Sequence, residues 1–116
     1  MSPDNKEILE KGNAMISAGD FEGFLALCTE DTHWHFLGDR VLSGKVEVRQ
    51  YMAKAYIEPP SFKVVDMIGD GELVTAVGEI SLLEKDRGWV RYAYCDIWRF
   101  DNGKMAELRA FVVPIE

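Results

Sequence analysis

The chain has 116 residues, a formal net charge of −7, and 47% hydrophobic and 28% charged residues. This describes a single globular domain spanning 1–116, with enough apolar content for a packed core without metal or disulfide staples. The acidic balance repels phosphate backbones and anionic lipid, so neither nucleic-acid nor membrane partners are expected.

No basic leader precedes an apolar stretch, and no apolar run approaches about 18 residues, so a cytoplasmic protein is expected. Cys28 and Cys95 sit within apolar patterns and form no spaced framework. They read as buried thiols in a reducing compartment. A catalytic cysteine is the alternative, but neither thiol has an activating base nearby in sequence.

Pro3 and Asp4 open a first helix, in which Ile8, Leu9, Gly12, Met15 and Ile16 recur at helical spacing. Ala18-Gly19-Asp20 ends it and caps a second helix with the apolar stripe Phe21, Phe24, Leu25 and Cys28. Thr29-Glu30-Asp31 reads as a turn, and Thr32 to Leu37 as a short strand. Gly38-Asp39 turns into a brief arm over Arg40 to Leu42. Ser43 is a good N-cap for a third helix running to about Tyr56, and Pro59-Pro60 stops it.

The second half is all strand. Phe62 to Ile68, Glu72 to Leu83, Trp89 to Phe100 and Lys104 to Val113 alternate with turn signals, of which Asp101-Asn102-Gly103 is the strongest. Helices followed by an antiparallel meander predict an α+β fold, with helices packed on one face of a bent sheet.

This order, and several local stretches, resemble the cone-shaped nuclear-transport-factor-2-like superfamily, which includes ketosteroid isomerase, SnoaL-type polyketide cyclases, scytalone dehydratase and limonene epoxide hydrolase. SAGDFEGFLALCTED is similar to the second-helix signature, LSGKVEVRQYM to the third-helix start, and CDIWRFDNGKMAELRAFV to the ketosteroid isomerase ending. WHFLGDRVLSGK resembles SnoaL-like proteins. The resemblance implies a cystatin-like cone: three N-terminal helices on a strongly bent, mostly antiparallel sheet.

It also implies roles, residue by residue. Asp96 falls where ketosteroid isomerases hold a protonated aspartic acid that donates to an enolate oxygen. The partner tyrosine's place is Gly12, the base's place is Phe36, and Met52 stands where a supporting tyrosine often lies. With these positions empty, steroid isomerisation by the family's mechanism is not implied.

Asp96 shares a strand face with Tyr94, Trp98 and Phe100. Turned into the cone, it would be desolvated, with a raised pKa suited to acid or base work. Turned outward, it would pair with Arg99 or Arg109 at a subunit contact. His33 and His35 share one face of the first strand, and Trp34 and Phe36 share the other. The family register puts Trp34 and Phe36 inward; a bulge or one-residue slip before Gly38 would reverse that and make His35 a general base.

Glu79 lies within VTAVGEISLL. The family register turns it inward toward Asp96, whereas simple alternation leaves it solvated. Arg49 reads as an ion-pair partner of Glu47, Asp20 or a terminal carboxylate.

The expected pocket lining is Trp34, Phe36, Met52, Tyr56, Tyr94, Trp98 and Leu108; the alternative is that these side chains fill the cone completely. His-x-His lacks a third ligand at sensible spacing, so no metal is expected. No glycine-rich phosphate loop appears, so no nucleotide or other cofactor is expected.

Two functions remain open. One is a small cofactor-independent enzyme that isomerises, cyclises or dehydrates a hydrophobic carbonyl compound, with Asp96 as acid and His35 or Glu79 moving the proton. The other is a non-catalytic ligand-binding or assembly module on the same fold. A homodimer is expected under both, through a sheet face carrying Leu73, Leu83, Ile97 or Phe111.

Overall fold

The structure, a computed structural model, describes residues 4–115. In chain order the elements are α1 (Asn5–Ser17), α2 (Phe21–Leu25), β1 (Cys28–Phe36), β2 (Arg40–Ser43), α3 (Gly44–Ala55), β3 (Ser61–Asp70), β4 (Leu73–Glu84), β5 (Gly88–Asp101) and β6 (Lys104–Pro114). The strands form one sheet in the order β2-β1-β6-β5-β4-β3. Among the described residues, only the β1–β6 pairing is parallel.

The helix starts follow capping chemistry. Asp4 accepts from the Lys6 N–H at 3.1 Å and Asp20 from the Gly23 N–H at 2.9 Å, which satisfies backbone donors that a helix end leaves free. Pro3, expected beside Asp4 at the first start, lies outside the described residues. Ser43 caps α3 without a side-chain bond; instead the Glu47 carboxylate reaches back to the Ser43 N–H at 2.7 Å. Ile8, Leu9, Gly12 and Ile16 form the buried stripe of α1, and Val48 and Met52 are the buried residues of α3.

One helix end and one strand start depart from the sequence reading. Helix α2 stops at Leu25, and Thr29-Glu30-Asp31 belongs to β1 rather than to a turn. The cause is a long-range partner: β6 runs alongside, with an irregular register between Cys28 and His33. A parallel neighbour supplied by the last strand leaves no local signal.

The sheet bends where β3 carries an extra residue between Val64 and Asp66, opposite Gly78 of β4. A Cβ at Gly78 would lie 2.2 Å from the Lys63 carbonyl oxygen, so only glycine permits that approach. The Asn102-Gly103 turn has φ of 51° and 78°, the paired positive values that a type I′ hairpin turn requires.

Phe24, Leu9, Leu25, Met52, Phe100 and Met105 are fully buried and close the narrow end of the cone. Gly12 lies against them: a Cβ there would meet Phe24 at 3.1 Å and Met105 at 3.3 Å, so this position has no room for a larger side chain. Cys28 is buried, donates to the Phe24 carbonyl at 3.7 Å, and has its thiol pushed up to about 11 by burial. Cys95, expected to be buried, is only half-buried. Among the described residues, no helix is long and apolar enough to cross a membrane.

Candidate active site

The concave face of the sheet is built in rows that follow from strand register. Trp34, Leu108, Trp98 and Val74 stand side by side nearest the closed end. The next row is Phe36, Ala110, Asp96 and Ala76. Then come Val112, Tyr94 and Gly78, and toward the mouth Pro114, Tyr92, Ile80 and Phe62.

The second and third rows combine two alanines, a glycine and a short acid. Small side chains across neighbouring strands cannot meet the helices above, and a cavity of about 970 Å³ remains. Its size suits a small-molecule site.

Asp96 is the acid in that hollow. Among the described residues no donor hydrogen-bonds its carboxyl, and neither Arg99 nor Arg109 pairs with it; Arg99 instead reaches Glu107 at 3.5 Å. The side chain retains some exposed surface because it lines an open cavity, yet it sits deep among apolar walls. That burial pushes its carboxyl from the ordinary 3.8 up to about 7, since removing water disfavours the charged form.

Two phenols answer to it. Tyr56, at the end of α3, is driven upward by burial and then by the charges of Tyr51 and Asp96. Tyr94 is pushed up to about 12 by burial, with Asp96 adding to the effect. Both therefore stay protonated as donors around neutral pH.

The walls are aromatic. The Trp34 ring packs edge-on against Trp98 at 5.9 Å, Phe24 at 5.9 Å and Tyr51 at 6.2 Å between centroids. Phe62 packs edge-on against Tyr94 at 6.3 Å. At the mouth, the Tyr92 hydroxyl donates to Glu84. Among the described residues, the Trp34 indole N–H and the Tyr94 hydroxyl are buried without a hydrogen-bond partner. An unmet buried donor costs about 1–3 kcal/mol.

Six of the seven expected lining residues surround this cavity: Trp34, Phe36, Tyr56, Tyr94, Trp98 and Leu108. Met52 does not; it is fully buried in the core behind the lining. The two other candidate acid–base groups are elsewhere. His35 lies on the opposite face of β1 from Trp34 and Phe36, outside the cavity, because no slip occurs before Gly38. Its neighbour on that face, His33, bonds Glu107 at 2.9 Å and helps hold that carboxylate below the usual range.

Glu79 also faces outward, paired with Arg91 at 3.0 Å, because its neighbour Gly78 must face the β3 bulge. Arg49 pairs with Glu22 at 2.8 Å on the surface, not with Glu47 or Asp20, and the chain's terminal carboxylate lies outside the described residues. Among the described residues, no group of three or more His, Cys, Asp or Glu side chains is placed to hold a metal ion.

Sequence reasoning missed Phe62, Ile80, Tyr92 and Ala110 as cavity residues. Alternation alone held the signal for two of them: Ile80 shares a face with Ala76 and Gly78, and Ala110 with Leu108.

Comparison with known proteins gives the scaffold. Solved structures with the same fold include a Cytophaga hutchinsonii NTF2-like protein of unknown function, with a TM-score of 0.80 at 12% identity over 97% of this chain and 92% of that one. Another is SalBIII, an epoxide hydrolase/cyclase-like enzyme of pyran ring formation in the polyether salinomycin, with a TM-score of 0.82 at 20% identity over 93% and 89%. A third, from Kribbella flavida and classed provisionally as a ketosteroid isomerase, has a TM-score of 0.81 at 15% identity over 97% and 79%.

Identities this low establish the NTF2-like fold and nothing finer. No curated protein matches the chain in sequence. The SnoaL-like domain model matches residues 9–108, nearly the whole described chain, and this protein therefore belongs to the SnoaL-like domain family.

Proposed function

We propose that the protein is a cofactor-independent enzyme that moves a proton next to a carbonyl in a hydrophobic small molecule, with Asp96 as the single acid–base group. The observation that carries this reading is one carboxyl, with a pKa pushed up to about 7, deep among aromatic walls and flanked by protonated phenols, whereas the other carboxylates lining the cavity, Asp39, Glu47 and Glu84, are exposed or half-exposed. A group so poised is about half ionised at neutral pH. The ionised form can take a proton from the carbon beside a carbonyl. The C–H electron pair then moves into the carbonyl, forming an enolate whose oxygen accepts from the Tyr56 hydroxyl. The acid then delivers a proton, either the one it took or one exchanged with water through the open cavity, to that carbon or to one further along a conjugated system, and the latter outcome is an isomerisation. With His35 and Glu79 outside the cavity, taking and returning the proton both fall to Asp96.

The test is exchange of solvent deuterium into the α-position of hydrophobic ketones such as 1-tetralone, followed by NMR. Wild-type protein should accelerate exchange, and Asp96→Asn should lower that rate at least about a hundredfold. Equal rates in the two proteins would favour the competing reading, a non-catalytic binding module. The placement of His35 and Glu79 is the observation on that side.

We further propose that the outer sheet face is covered by a second copy. Ile68, Val77, Phe111 and Val113 are exposed there, with Val77, Cys95 and Phe111 adjacent across three strands. Both signs of charge, Glu79 and Glu107 with Arg91 and Arg99, flank this stripe and suit self-association.

A further inference from the structure

Four carboxylates line the cavity: Asp39, Glu47, Glu84 and Asp96. Three of them have partners. Asp39 pairs with Arg40 at 3.4 Å, Glu47 accepts from the Ser43 N–H at 2.7 Å, and Glu84 accepts from Tyr92 and pairs with Arg87 at 3.5 Å. Asp96 has none among the described residues, and no lysine, arginine or histidine there lies near enough to influence its carboxyl. Yet the residue is not sealed in: it keeps accessible surface and lines the cavity.

Room is left beside it. Ala76 and Ala110 flank Asp96 on β4 and β6, and Phe36 stands beyond Ala110 in the same row. Neighbouring strands lie about 4.8 Å apart, so the space over Ala110 has the carboxyl on one side and the Phe36 side chain on the other. Tyr56 lines the same cavity from α3, close enough to feel the Asp96 charge. An ionised carboxyl here has lost water and met neither a counter-charge nor a donor. A ligand that brings an ammonium group supplies both, through its charge and its N–H bonds, and aromatic rings nearby favour a cation. The net charge of −7 attracts one as well.

We propose that the Asp96 hollow is a binding site for a hydrophobic amine, a compact apolar skeleton whose ammonium group pairs with the ionised carboxylate over Ala110. The site is the one read above as catalytic, and the proposal goes beyond that reading: an amine seated there excludes the ketone.

The probes are 2-aminotetralin, with 2-tetralol and tetralin as neutral counterparts on the same skeleton. NMR titration gives their dissociation constants in wild type and in Asp96→Asn, which keeps the shape of the side chain. At pH 8 the amine should bind wild type at least about tenfold more tightly than either neutral probe, and it should displace 1-tetralone. Asp96→Asn should weaken the amine about tenfold to a hundredfold, the effect of losing a charged hydrogen bond, and leave tetralin within about twofold.

The pH dependence is a readout that needs no variant. The titratable groups near Asp96 are Tyr94 on its own strand and Tyr56 on α3, with Tyr51 beyond; Ala76, Ala110 and Phe36 on the neighbouring strands carry no charge. All three phenols are pushed above their ordinary range and stay protonated up to pH 8. The ammonium stays charged throughout. Protonation of Asp96 below about pH 7 should therefore lower amine affinity at least about tenfold from pH 8 to pH 5, while that of tetralin holds.

Equal affinities for the amine and the neutral probes, an amine affinity unchanged in Asp96→Asn, or one that does not fall with pH overturns the proposal. The two readings fail separately. Lost deuterium exchange in Asp96→Asn with unchanged amine affinity removes this inference and leaves the acid–base function standing. Equal exchange rates with lost amine affinity remove that function and leave the amine site.

Discussion

Asp96 and Ala110 are direct cross-strand partners on β5 and β6, and the alanine carries nothing beyond Cβ to fill the space beside the carboxyl. Phe36 flanks Ala110 on its other side, and Ala76 flanks Asp96. This row of small residues between bulky aromatics gives the acid both its low-dielectric surroundings and an approach for ligand. Ala110→Leu adds three carbons at that point. Because the added carbons enter open cavity rather than packed core, stability measured by urea unfolding should change by less than about 1 kcal/mol. Affinity for 1-tetralone should fall at least about tenfold. A variant that binds the probe as wild type does would move the ligand site away from Asp96.

The raised pKa of Asp96 makes stability depend on pH with a definite sign. Its folded value of about 7 exceeds the ordinary 3.8, so between those values the native state binds more protons than the unfolded one. Stability therefore falls as pH rises from about 4 to about 7, and the penalty is complete above that window, on the order of 2–4 kcal/mol. Asp96→Asn, which cannot ionise, should be more stable than wild type at pH 8 by an amount approaching that figure. The advantage should shrink toward pH 4. Urea unfolding of both proteins at pH 4, 6 and 8 measures it, and a pH-independent difference would place the carboxyl in water.

The bulge opposite Gly78 sets the bend that opens the cone. A methyl group there collides with the backbone carbonyl of Lys63 at 2.2 Å, and backbone cannot swing aside as a side chain can. Gly78→Ala should destabilise by about 1–3 kcal/mol, because the β3–β4 register must shift to accept it. Thermal and urea unfolding report the size. A neutral outcome would mean that the bulge is not held by this contact.

Much of this was legible in the sequence because strand alternation is strict. The face shared by Asp96, Tyr94 and Trp98 follows from counting in twos, as does the inward pair Trp34 and Phe36. Glu79 was open between two registers, and Gly78 settles it. A glycine within an otherwise apolar strand marks a close backbone approach, and fixing that face inward sends Glu79 out to Arg91. The parallel pairing of β1 with β6 was not legible. It joins residues more than seventy positions apart, and it draws Thr29 to Asp31 into a strand that their composition reads as a turn. Met52 was misplaced for a related reason: helical spacing says which face is apolar, not whether that face meets a cavity or packed core.

The proposed pairing of copies through the outer sheet face should appear as a dimer in sedimentation velocity at micromolar concentration. Val77→Glu with Phe111→Glu puts two charges on the central stripe and should shift the protein to monomer, while circular dichroism stays that of the folded chain. A wild-type monomer, or a dimer indifferent to both charges, would assign that face no such role.

The account depends most on the state of one carboxyl. Carbon-13 NMR of the Asp96 side-chain carboxyl, followed from pH 3 to pH 9 with Asp96→Asn for assignment, tests it directly. A midpoint near 7 that moves when 1-tetralone is added is the expected result. A midpoint near 3.8, unaffected by ligand, would contradict the account.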